Sequence, residues 1–176
     1  MKRLIKHLAR RNDGTATIEL ALLAPVLATL VIGVADVSIA VGRRLELEQA
    51  AHRAVEKQMQ TTGDLTVEDT IKKEAVCQIN GTLDDGTCDT GRISTSNVTV
   101  TYKLECTDTG GAIAAQESTV STEFEAFTCD EDAGEIPARY IEVAVTDSYT
   151  PLFNLHFGTG SDGIYQLEAK AGMRVG

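Results

Sequence analysis

Residues 16–41 read ATIELALLAPVLATLVIGVADVSIAV, and the identity of this stretch decides how the rest of the chain is organised. From Leu20 to Ala35 sixteen residues pass without a charge, and apolar character resumes beyond Asp36 through Val37, Ile39, Ala40 and Val41. As a helix, residues 16–41 extend about 39 Å at ~1.5 Å per residue, more than the roughly 30 Å of a bilayer's hydrocarbon core. The stretch is a membrane-spanning segment. Five basic residues, Lys2, Arg3, Lys6, Arg10 and Arg11, precede it and Arg43 and Arg44 follow, so the positive-inside bias puts the N-terminus in the cytoplasm and residues from about 43 onward across the membrane.

Outward from this segment, composition narrows the function. The 176 residues contain 26 acidic against 16 basic side chains; without the basic leader and Asp13, 11 basic face 25 acidic residues, a net charge of −14 over residues 15–176. A phosphate backbone demands the opposite sign, so no nucleic-acid partner is expected. Tryptophan is absent and aromatics are 5%, which predicts an aliphatic core. Small-x-small sites at Gly33-Val34-Ala35 and Ser38-Ile39-Ala40 leave an ordinary signal peptide open as an alternative. Against it, the apolar stretch exceeds a usual h-region and no helix breaker divides it from the charged helix beyond.

Glu19 fits neither a signal peptide nor a plain anchor. A carboxylate at the head of an apolar segment needs a cationic partner, from Arg10 or Arg11 at the membrane interface or from elsewhere. The string RRNDGTATIELALLAPVL orders a basic leader, a glycine, four residues, a glutamate and an apolar helix. It resembles a type IV prepilin processing site. The resemblance implies cleavage by prepilin peptidase between Gly14 and Thr15, and a new α-amino group on Thr15 to meet Glu19 of a neighbouring subunit. Such a buried pair sets register more than it adds stability.

Residues 14–56 together are similar to the TadE-like family of minor pilins of the tight-adherence (Tad/Flp) pilus. The resemblance rests on Gly14, Glu19, Pro25 partway along the apolar helix, Gly33 with Asp36 near its end, and the Ala50-Ala51-His52-Arg53-Ala54 continuation. Leu20 stands where the major Flp pilin has tyrosine, and the chain is several times longer than that subunit, which points to a minor pilin or pseudopilin. The resemblance implies processing by prepilin peptidase, other pilin subunits and an inner-membrane assembly platform as partners, and a passage from the inner membrane to the pilus and cell surface, with a part in adhesion. It divides the chain into a cytoplasmic leader, 1–14, which is removed, a membrane and assembly helix, 15–42, and an exported periplasmic head, 43–176. Glu19, Pro25 and Asp36 are the candidate assembly residues. Asp36 lies seventeen residues after Glu19, about 26 Å along the axis, so interface placement or a salt bridge to Arg43 or Arg44 of a neighbour both suit it. The competing class is a periplasmic binding protein or enzyme, either secreted behind an ordinary signal peptide or held by an uncleaved anchor.

Beyond the bilayer the helix is expected to continue, with Leu47, Ala50, Ala51, Ala54, Val55 and Met59 at helical spacing, until Thr61-Thr62-Gly63 stops it. A second helix is predicted over Val67–Cys77 behind a Thr66 cap. Alternation predicts strands over Asn97–Cys106, Ser118–Cys129, Arg139–Tyr149 and Ile164–Val175, with loops at 80–96 and 107–117. The fold class is therefore α+β, a pilin-like head whose antiparallel sheet packs on the long helix. Four cysteines lie on the exported side, where oxidation is the rule. Proximity favours Cys77 with Cys88, and Cys106 with Cys129 at the two ends of an expected hairpin. A zinc site is the rival, without a C-x-x-C pair or a nearby histidine to support it. His7, His52 and His156 stand in no nucleophile or metal motif, so no enzyme activity and no cofactor is expected. The acidic clusters at Asp84-Asp85-Gly86 and Asp130-Glu131-Asp132 lack an EF-hand spacing and read as solvated turns.

Overall fold

A computed structural model describes residues 13–60, 67–153 and 158–175. The basic leader up to Asn12, the Thr61–Gly63 stop, the Thr66 cap and His156 lie outside them. Helix α1 runs unbroken from Asp13 to Gln60, 48 residues with Pro25 inside it. Its sequence changes character midway. Up to about Val34 every large apolar side chain from Ile18 on is exposed except half-buried Ile32, whereas Ala40, Leu47, Ala50, Ala51, Ala54 and Val55 are buried. The second set recurs at three, four and seven residues and makes one stripe, and alanines at its centre let the helix approach a sheet closely.

Helix α2, Val67–Asn80, packs Ile71, Ala75 and Val76 into the same core. It runs three residues past the expected end at Cys77 and stops at Gly81, whose φ of +95° suits glycine and whose N–H bonds the Cys77 carbonyl at 2.9 Å. A short 3₁₀ turn, Thr95–Asn97, leads into strand β1, Val98–Thr107. Strand β2 is Ile113–Ser118, helix α3 Ser121–Glu125, strand β3 Ile136–Tyr149 and strand β4 Tyr165–Arg174. The sheet is antiparallel in the order β2-β1-β3-β4, so the α+β architecture is that expected. Val98, Val100, Tyr102 and Leu104 of β1, Ile141, Val143 and Val145 of β3, and Leu167, Ala169 and Ala171 of β4 face the helices.

One strand falls elsewhere. Ser118–Cys129, expected as β, contains α3 and the loop after it, while the true β2 occupies a stretch expected to be loop. Val120, Phe124 and Phe127 are spaced by four and three, a helical period, and Phe124 turns inward to stack on Tyr102 with ring centroids 5.4 Å apart. Strand β2 is exposed along nearly its whole length, which is why it shows no inside–outside alternation. Two disulfides close loops on the core: Cys77 with Cys88, Cα atoms 4.6 Å apart, and Cys106 with Cys129, 5.6 Å apart. They are the pairs favoured by proximity, although Cys129 follows a helix and does not end a hairpin strand.

Candidate functional site

The first half of α1 is apolar all round and exposed all round: Ile18, Leu20, Leu22, Leu23, Val26 and Leu27 are each more than half accessible. A helix of that composition is stable only when lipid or other helices surround it. Residues 17–60 contain a window apolar and long enough to cross a membrane, and none of that window is buried inside the protein. Gly14 and Thr15 fall in the first turn of α1, where backbone N–H groups have no intrahelical acceptor and helices fray. Glu19 lies one turn further on, exposed, and none of the described residues pairs with it. Pro25 removes the N–H that would reach back to Ala21, and nearby Thr29 donates its hydroxyl to the carbonyls of Pro25 and Val26, both at 2.9 Å.

Asp36 has partners that neither reading specified. It is 4% exposed, and its partners come from its own head. The Tyr149 hydroxyl donates to Oδ1 at 3.0 Å, the Leu152 N–H to Oδ1 at 2.9 Å and the Phe153 N–H to Oδ2 at 3.2 Å. Strand β3 delivers Tyr149 to this point, and Pro151 turns the chain so that two successive amides aim at one carboxylate. Arg43 and Arg44 go elsewhere. The Arg43 guanidinium lies over the Tyr149 ring, 4.6 Å from its centroid, and Nη1 is 3.6 Å from Asp147 Oδ2. Arg92 approaches the same oxygen with Nε at 3.2 Å and holds Glu46 at 2.6 Å. Among the described residues Arg44 pairs with Glu48 alone, on its own helix face, at 3.4 Å.

The seam joining α1 to the sheet thus carries an alternating cluster, Glu46–Arg92–Asp147–Arg43, above the Asp36 knot. Sequence reasoning singled out Asp36 but not Asp147, Tyr149 or Arg92. A signal existed for Asp147: it occupies an inward position of β3, in phase with Val143 and Val145, so a carboxylate there had to meet a cation.

Elsewhere on the head, polar groups are engaged with one another. Asp85 accepts from the Thr87 hydroxyl at 2.6 Å and from the Thr87 N–H at 2.9 Å, which holds its carboxyl below the usual range. Asp130 accepts from the Ala133 N–H at 3.1 Å. Both acidic clusters therefore build turns. A set with metal-ligand proximity, Cys106, Cys129 and Glu135, has its donor atoms within 4.8 Å, but its sulfurs are joined in a disulfide and offer no thiolate. On the sheet face away from α1 lies an open groove of about 330 Å³ over Gly172, lined by Lys103, Glu117, Tyr140, Glu142 and Arg174. Lys103 pairs there with Glu105 at 2.8 Å and Glu117 at 3.6 Å, and both neighbours hold its ammonium pKa above the usual value.

The naked apolar half of α1, its lone Glu19 and its continuation into the core fall within one recognisable unit. Residues 14–56 match the family model of the TadE-like protein. The match covers about a quarter of the chain and supports a protein associated with the Tad pilus system. Together with the exposed apolar helix, it places the protein in association with a membrane. No curated protein and no solved structure matches the chain. The TadE-like unit ends at Glu56, so all of the described β-structure and both disulfides lie outside it.

Proposed function

We propose that this protein is a minor pilin or pseudopilin of a Tad/Flp-type pilus. Prepilin peptidase cuts between Gly14 and Thr15, residues 15–42 hold the protein in the inner membrane, and residues 43–176 stand in the periplasm. The subunit then joins other pilins through α1, driven by an inner-membrane platform, and reaches the cell surface, where it contributes to adhesion. The observation that carries this reading is α1 itself: one helix, half bare and apolar, half built into a head, with Glu19, which none of the described residues pairs with, near the start of the bare half. In a bundle of such helices the Thr15 amine of a neighbour supplies the cation that Glu19 lacks, while a monomer in lipid accommodates it at the interface.

Glu19→Gln tests the mechanism. Expression, membrane insertion and cleavage should persist while the amount recovered in sheared surface fibres, relative to the membrane fraction, falls. Equal partition of mutant and wild type would refute the role of Glu19. Mass spectrometry of the N-terminus from native membranes tests processing: a terminus at Thr15 that is lost when Gly14 is replaced by a bulky residue is expected, and an intact Met1 in the wild type would exclude it.

A further inference from the structure

We propose that the turn after β3, through Leu152 and Phe153, enters the periplasmic leaflet of the inner membrane and gives the head a second lipid contact beside α1. The inference rests on α1 spanning the membrane, and on height. With Glu19 at the cytoplasmic edge of the hydrocarbon, where the charge-free run begins, Asp36 stands about 26 Å above it at ~1.5 Å per residue. The hydrocarbon is roughly 30 Å thick, so Asp36 lies just inside its periplasmic edge, and helix tilt takes it deeper. A bare carboxylate at that depth is costly. This one is enclosed by the Tyr149 hydroxyl and the amides of Leu152 and Phe153, which fixes those residues at the same depth.

Their side chains, meanwhile, point out. Leu152 is 70% and Phe153 46% exposed, on a turn pinned by its backbone. Val37, Ile39 and Val41, which follow Asp36 on α1, are also exposed, and the two amide hydrogen bonds to Asp36 hold Leu152 and Phe153 against this stretch of the helix. Arg43 lies about 36 Å above Glu19, within the headgroup zone, stacked on the Tyr149 ring. An arginine on a tyrosine directly above two apolar side chains is the order of groups that a membrane interface selects.

The chain contains no tryptophan, so one introduced residue reports its own surroundings. Full-length Phe153→Trp is reconstituted in phosphatidylcholine vesicles, with or without bromine on the acyl chains near the headgroup. The expected result is blue-shifted emission, most of which is lost in the brominated lipid. Leu152→Trp, at the more exposed neighbour, should behave alike. Ile136→Trp, at the opposite end of β3, should emit as in water and keep its intensity. Leu30→Trp reports on the helix and should be quenched by bromine deep in the chains. If Leu30→Trp is quenched and both turn variants are not, the lipid contact is refuted while the spanning helix stands. Blue-shifted but unquenched turn variants would also overturn it, since protein rather than lipid then covers the turn. An unquenched Leu30→Trp would remove the spanning reading on which the proposal depends.

Discussion

Replacing Asp36 with alanine removes the acceptor for three donors at once, so its cost is set by how well water can replace a carboxylate at each. A buried donor left unsatisfied costs about 1–3 kcal/mol, and bonds to a charged group lie at the upper end. The Tyr149 residue is 4% exposed, so its hydroxyl is the hardest to rehydrate. The part-buried Leu152 and Phe153 amides lie at the periplasmic edge of the bilayer, where interfacial water reaches them, and recover part of their hydration. Allowing about 2 kcal/mol for the hydroxyl and about 1 kcal/mol for the two amides together, Asp36→Ala should lose about 3 kcal/mol. For a domain of this size each kcal/mol is worth roughly 2–4 °C, so the midpoint should fall by about 6–12 °C. The assay is thermal unfolding of the full chain in detergent followed by circular dichroism, with amide hydrogen exchange read at Leu152 and Phe153. Tyr149→Phe removes one donor and should cost about 1 kcal/mol in the wild type and much less on the Asp36→Ala background, the signature of a shared bond. An unchanged midpoint together with unchanged exchange in Asp36→Ala would refute the anchoring role.

The two arginines that begin the head should separate cleanly: Arg43→Ala, which loses a ring contact and a carboxylate partner, should destabilise by about 1–2 kcal/mol, and Arg44→Ala, with its exposed i,i+4 pair, by less than ~0.5 kcal/mol in the same melts. Opening the disulfides should cost about 3 kcal/mol for Cys77–Cys88 and somewhat more for Cys106–Cys129, whose loop of 23 residues' separation exceeds 11, as read from melts of the paired serine variants and from non-reducing gel mobility. Burial, with Glu68 adding to it, pushes the Tyr102 hydroxyl up to about 12. Because the unfolded value is near ~10, the stabilisation is complete below that pH and disappears as pH rises towards about 12, amounting to roughly 2–3 kcal/mol. Tyr102→Phe should therefore lose less stability than the wild type between pH 9 and pH 11, and identical losses would contradict this origin.

What the sequence disclosed follows from range. Helix α1 was legible because its apolar run and its Leu47–Val55 stripe are local periodicities, and β1, β3 and β4 because one face of each is buried. Strand β2 was not, since an edge exposed on both faces carries no alternation. The Val120-Phe124-Phe127 spacing carried the helical signal of α3, hidden by the threonines and serines around it, which suit strands as well. Asp36 stood out as an anomaly in an apolar helix, but its partner hydroxyl is 113 residues away, and no local pattern specifies such a pairing. Glu19 differs in kind: its expected partner belongs to another chain.

Because α1 is a single unbroken helix, the compass bearing of Glu19 is locked to that of the head. At about 100° per residue, the seventeen residues between Glu19 and Asp36 amount to roughly 1,700°, about 100° short of five full turns. Asp36 faces its own sheet, so Glu19 points roughly a quarter-turn away from the side on which the head hangs. A neighbouring helix that comes to meet this carboxylate approaches along a flank left open by the head, and adding a single residue between Glu19 and Asp36 would swing that flank by a further ~100° while leaving every contact within the head in place.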